Sequence, residues 1–162
     1  VQTIICALLK ANFDGVNVIN SVSVAKNKSI QITEIKHEKD CEYQSCLTLT
    51  IETDKQTRSV SGTLFGGKPR IVNVKGIKIE AELSKYNLYI SNEDKPGFIS
   101  NLSKILADNK INIATFNLGR KNSGGEAIAL ISTDNPIDKN AIDQIKKLPL
   151  VIQAKTLTFN ES

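Results

Sequence analysis

Apolar positions along this chain recur at two spacings, and the changes from one to the other divide it into elements. Val1, Ile4, Ile5, Leu8 and Leu9 fall at i, i+3, i+4, i+7 and i+8, one face of a helix that ends before Gly15. Residues 15–19 read as a short strand, and Asn20 is placed to cap a brief helix over 21–28. Period-2 alternation then takes over. It predicts strands over 30–36, around Leu47, Leu49 and Ile51, and over 57–65, 70–74 and 77–83. Asp54-Lys55, Gly66-Gly67-Lys68-Pro69 and Lys75-Gly76 supply the turns. After Ser84-Lys85 the pattern restarts: a strand over 86–91, and a helix opened by Pro96-Gly97 with Phe98, Ile99, Leu102, Ile105 and Leu106 on one face. Strands over 111–119 and 126–133 follow. A helix with Ile137, Ala141, Ile142, Ile145 and Leu148 on one face comes next, then a strand over 150–159. The second half therefore runs β-α-β-β-α-β, the ferredoxin-like split unit. The fold class is α+β, with a mostly antiparallel sheet and one or two helices over residues 1–84, and the split unit over 85–162.

Composition changes the picture in two places. At 162 residues, two halves would each bury only about 60% of their unfolded surface, against about 70% for one core. Each half thus leans on the other or on a second copy. The sequence also begins at Val1 and contains no Met, with a helix pattern already under way, so it reads as a piece of something larger. A composition near the globular average, 40% hydrophobic and 23% charged, excludes disordered, collagen-like and disulfide-scaffold classes. No signal peptide or membrane-length apolar run is visible.

The net charge of +4 and pI of 8.9 raise a nucleic-acid reading. The excess is +2 in residues 1–83 (11 against 9) and +2 in 84–162 (10 against 8). With no block of like charge, this is a solvated surface. The third strand of the split unit, EAIALIST, carries no aromatic for stacking bases. Cys6, Cys41 and Cys46 form an odd set without CxxC, which points to a reducing cytoplasm. His37, Cys41 and Cys46 match no zinc spacing and lack a fourth ligand, so no metal site is expected.

No GxGxxG or GxxxxGK[ST] occurs, so the chain has no dinucleotide or P-loop fingerprint. One histidine and no GxSxG argue against a self-contained acid–base or triad enzyme. The first strand–helix loop of the split unit, Asn92 to Gly97, has no Arg, which removes an acylphosphatase-type phosphate site. That loop still carries chemistry. Pro96 starts a helix, Gly97 leaves its amides approachable, and a helix N-terminus suits a carboxylate. Asp94 two residues away can accept an ammonium, or else cap the helix. A carboxylate acceptor beside an ammonium acceptor is the outline of a free amino acid.

The stretch ISNEDKPGFISNLSKILADNKINIATFNLGR followed by GGEAIALI resembles an ACT-type regulatory domain, in particular the carboxy-terminal domain of D-3-phosphoglycerate dehydrogenases. VSGTLFGGKPRIVNVKGIKIEAEL is similar to the intervening, allosteric-substrate-binding domain of the long form of that family. The resemblance implies an intervening domain over 1–84 and an ACT domain over 85–162. It also implies a parent enzyme that oxidises 3-phosphoglycerate with NAD in serine synthesis, with no cofactor held by this segment. L-serine would be a feedback effector bound between ACT domains of two subunits, in a cytoplasmic homodimer that forms a tetramer in the full enzyme. No nucleic acid or membrane partner is expected.

By the same resemblance the effector contacts are Asn92, Asp94, Pro96, Gly97, Phe98 and Asn112. Relatives carry His or Tyr where Asn92 stands, and some carry Asn where Asp94 stands. Asn112 can equally cap a turn after Lys110. An anion such as substrate or phosphate would meet Lys68, Arg70, Lys75 and Lys78. Glu82 replaces an Arg of some relatives and weakens such a site, and scattered surface lysines are the plainer reading of that patch. Two other functions fit: an amino-acid-sensing module of another enzyme such as an L-serine dehydratase, and a purely structural dimerisation module.

Overall fold

The computed structural model describes residues 1–36, 43 and 45–159. Of the residues weighed for metal binding, His37 and Cys41 lie outside these. Among the described residues no group of three or more His, Cys, Asp or Glu could hold a metal ion, and no helix is long and apolar enough to cross a membrane. The chain divides into two compact units, Val1–Lys39 and Asp40–Ser162.

The first unit holds α1 (Gln2–Lys10) and α2 (Ser21–Asn27). They bury Ile5, Cys6, Leu9, Val16 and Ala25 together, and the buried Ser21 hydroxyl donates to the Val18 carbonyl at 3.1 Å. The strand expected at 15–19 does not form. The Asn17 side-chain oxygen accepts from the amides of Ile19 (3.0 Å) and Asn20 (2.9 Å), and the Asn20 amide group donates to the Gly15 carbonyl at 3.0 Å. These local bonds compete with a ladder and win. They also occupy the Asn20 side chain, which starts α2 without capping it.

The strand expected at 30–36 is absent too. Ser29 takes a positive φ of 57°, and the Ile30 amide turns back to the Ala25 carbonyl at 2.9 Å, a Schellman-type stop. The alternation of Ile30 and Ile32 specifies a strand only where another strand lies alongside, and no described strand does.

The second unit contains two four-stranded antiparallel sheets. The first is a meander of β1 (Cys46–Glu52), β2 (Thr57–Phe65), β3 (Lys68–Val74) and β4 (Ile77–Glu82). Its hairpins close on Gly66-Gly67 (φ 58° and 81°) and Lys75-Gly76 (φ 54° and 78°). Two central residues at positive φ match the right-handed twist of the strands.

The second sheet comprises β5 (Tyr86–Glu93), β6 (Ile113–Arg120), β7 (Glu126–Thr133) and β8 (Val151–Thr158) in the order β6-β7-β5-β8. Helices α3 (Phe98–Asp108) and α4 (Lys139–Lys146) cover one face of it. The Asp138 carboxylate caps α4 by accepting from the Ala141 amide at 2.7 Å, so that helix starts two residues later than its apolar pattern does.

Alternation along the strands decides what each face of the second sheet meets. Leu88, Ile90, Ala129 and Ile131 pack against Leu102, Leu106, Ile142 and Ile145 of the helices. Ile128 and Leu130 point the other way, onto Ile77, Ile79 and Ala81 of β4. The first sheet is thereby laid over the helix-free face of the second, which explains why β7 reads as a continuous apolar run.

Candidate functional site

The turn between β5 and α3 is built by bonds to two neighbouring segments. The Glu93 amide donates to the Leu150 carbonyl at 2.9 Å, and the Asp94 amide to the Gly125 carbonyl at 2.8 Å. Gly97 then adopts φ 95° as the residue before α3, a conformation available to glycine at little cost. No side chain caps α3 and its first turn holds no acidic residue. The positive end of the helix is therefore presented uncompensated at the surface. Phe98 is buried and anchors the first turn.

Asp94 does not cap this helix. Its Oδ2 accepts from Arg120 Nη1 at 2.7 Å and from the Gly124 amide at 3.2 Å. The Arg120 bond first, and the Gly124 amide second, hold the Asp94 carboxyl below the usual range. Arg120 and Gly124 are the site residues that sequence reasoning missed. A signal for Arg120 existed in the hairpin: Arg120 pairs with Ala127, and Ala127 pairs with Asn92, so the end of β6 returns to this loop.

Asn92 is 1% exposed. Its Nδ2 donates to the Glu93 carbonyl at 2.8 Å, while its Oδ1 is buried with no partner among the described residues. Asn112 lies elsewhere. It is exposed, donates to Asp134 Oδ2 at 2.6 Å, and immediately precedes β6, whose first residue pairs with Thr133. It sits about 25 Å along the strands from the loop, seven to eight residues at roughly 3.4 Å each. One chain brings together Asn92, Asp94, Pro96, Gly97 and Phe98, but not Asn112.

The four expected anion-binding cations do not form one patch either. Lys68 and Arg70 converge on Glu82, at 2.9 Å and 3.7 Å, and the Lys68 bond lowers the Glu82 pKa. The Arg70 guanidinium also stacks over Phe65 at 4.8 Å. Lys78 lies exposed on β4, opposite Asn73. Lys75 is at the other end of the meander, 2.6 Å from Glu126 Oε1. The same oxygen accepts from the buried Ser91 hydroxyl at 2.6 Å, which ties the first sheet to the second.

The Lys75 bond, then the Ser91 bond, hold the Glu126 pKa below its usual 4.5. A depressed carboxyl contributes stability above its unfolded pKa and loses it as pH falls through the folded one. Glu126→Gln is therefore expected to unfold at lower urea concentration than the parent at pH 7. The two should converge as pH falls through the parent's depressed pKa, where its carboxyl also becomes neutral. Equal midpoints at pH 7 would show that the bridge contributes nothing.

The geometry defines a class: an α+β segment in which a meander sheet precedes a βαββαβ domain with an open strand–helix turn. Residues 1–75 match the model of the D-3-phosphoglycerate dehydrogenase intervening domain, and residues 86–150 that of the ACT domain. The chain thus matches these two domain models in order.

Among its relatives, the D-3-phosphoglycerate dehydrogenase of Bacillus subtilis is 31% identical over 160 residues, covering 96% of this chain and 30% of the relative. That of Methanocaldococcus jannaschii is 32% identical over 135 residues, 83% of this chain and 26% of the relative. A probable L-serine dehydratase beta chain of Bacillus subtilis is 26% identical over 134 residues, covering 82% of this chain and 61% of that protein. The chain spans about 30% of the length of the dehydrogenases it matches.

Proposed function

We propose that this chain is the regulatory part of a D-3-phosphoglycerate dehydrogenase, with an intervening domain over residues 1–84 and an ACT domain over 85–162. In this reading the parent enzyme oxidises 3-phosphoglycerate in serine synthesis in the cytoplasm, and L-serine binds the ACT domain as feedback effector. NAD is the parent's oxidant. No dinucleotide-binding turn occurs in this segment, so its residues do not fit that cofactor and NAD binding falls to other domains.

The observation that carries the proposal is the uncapped N-terminus of α3 beside the Asp94 carboxylate. Its amides suit the effector's carboxylate and Asp94 its ammonium. Asn112 supports the same reading through symmetry. Among the described residues β6 is an edge strand, bonded only to β7, and its Leu118 is 42% exposed. Two copies related by a two-fold axis pair such edges antiparallel. Antiparallel pairing lays the Asn112 end of one β6 beside the Arg120 end of its copy, where the Asp94 loop lies. The effector then sits at the seam and shifts activity by favouring one arrangement of the pair.

The test is calorimetric titration of this chain with L-serine, alongside sedimentation. A saturable heat and a dimer are expected, and Asn112→Ala should weaken binding at least tenfold while the dimer persists. A dimer with no heat at millimolar serine leaves a structural module and sinks the effector reading. The dehydratase relative favours a second reading, an effector module of an L-serine dehydratase, which uses the same seam. The sequence preceding Val1 decides between the two: a glycine-rich dinucleotide motif for the dehydrogenase, or a set of cluster cysteines for the dehydratase.

A further inference from the structure

The chain has three arginines, and two of them meet carboxylates: Arg70 with Glu82 and Arg120 with Asp94. Arg58 differs. Its Nε and Nη2 donate to Gln56 Oε1 at 2.9 Å and 2.8 Å, and its Nη1 to Gln153 Oε1 at 3.4 Å. Both partners are neutral amides, so the guanidinium is fixed in orientation without direct compensation of its charge. Three of its five N–H groups are used and two remain.

Arg58 lines an open groove in the second unit together with Gln56, Lys75, Gly76 and Glu126. Gly76 leaves that wall without a side chain. Lys75 supplies a second cation, an ammonium that bonds one of the two Glu126 oxygens. The two cations outnumber the one carboxylate. The groove is also distant from Lys68 and Arg70, because Arg58 stands at the start of β2 while Lys68 pairs with Phe65 at its end.

We propose that this groove binds a small oxyanion, a carboxylate or a phosphate, with Arg58 as its fork-shaped donor and Lys75 as the second cation. Planar bidentate recognition is what an oriented guanidinium provides and an ammonium does not. The proposal is independent of the effector reading, since it uses none of the residues of the Asp94 loop.

The experiment is titration of the whole chain with inorganic phosphate and, separately, with acetate, at ionic strength held constant with chloride, followed by amide resonances. The expected result is saturable shifts at Arg58, Gly76 and the Gln153 side chain for one or both anions. The anion that saturates at lower concentration identifies the source. Arg58→Gln should weaken binding at least tenfold and Arg58→Lys should weaken it less. Arg70→Gln and Asp94→Ala should leave it unchanged, so loss of serine binding and loss of oxyanion binding remain separable. The amide spectra report whether each variant is folded. Shifts no larger than those from chloride, shifts centred on Lys68 and Arg70, or full affinity in a folded Arg58→Gln would each overturn the proposal.

Discussion

Gly119→Ala is expected to destabilise the second unit by about 1–3 kcal/mol, the usual cost of forcing extra atoms into a packed interior. A Cβ at this position would overlap the Lys78 carbonyl oxygen, and would lie 3.1 Å from Ile77 Cγ2 and 3.2 Å from Ile79 Cβ. The obstacle is backbone, so no rotamer change relieves it. The effect is purely steric, because Gly119 is not among the residues at positive φ. Where β6 and β4 cross, the missing side chain is what lets the first sheet settle on Ile128 and Leu130. A urea titration should show a lower midpoint, and the amide resonances of residues 77–79 should move. An unchanged midpoint would mean that the two sheets do not approach as closely as described.

The second large effect concerns the effector. In Asp94→Ala the heat of L-serine binding is expected to vanish, because the carboxylate proposed to take the ammonium is gone. Arg120→Gln separates that role from a merely structural one. Arg120 is the chief cause of the lowered Asp94 pKa. Asp94 thus carries its charge down to lower pH than an ordinary aspartate, and serine binding should fall only as pH drops through that depressed value. Without Arg120 the carboxyl keeps only the Gly124 amide, its pKa rises, and the fall in serine binding should move to higher pH while binding at pH 7 persists. A pH profile that Arg120→Gln does not move, or undiminished heat in Asp94→Ala, removes Asp94 from the site.

The ACT half was legible almost element by element. Its helices carry long 3.6-residue patterns, and its strands alternate or run apolar between clear turn signals. The Gly66-Gly67 and Lys75-Gly76 hairpins were equally plain, because only a few residue types tolerate the turns that join two twisted strands. Residues 15–19 and 30–36 were misread for one reason in two forms. A strand is a paired object, and alternation records readiness to pair rather than the presence of a neighbour. At Asn17 and Asn20 the side chains satisfied the backbone locally. At Ile30 the helix stop consumed the amide.

The site shows the same division. The residues of the loop, Asn92 to Phe98, are contiguous, so the sequence by itself determined that they share one turn at a helix start. It also determined the βαββαβ order of the second half and the resemblance carried by its motif strings, since periodicity, turn residues and motif strings are local properties. Tertiary structure alone decided which charges meet. It carried Arg120 onto Asp94 through the β6–β7 hairpin, split Lys75 from Lys68 and Arg70 by the length of the meander, and set Asn112 at the far end of the sheet. Strand register fixes those distances, and register follows from which faces are buried, a property of the whole packed chain.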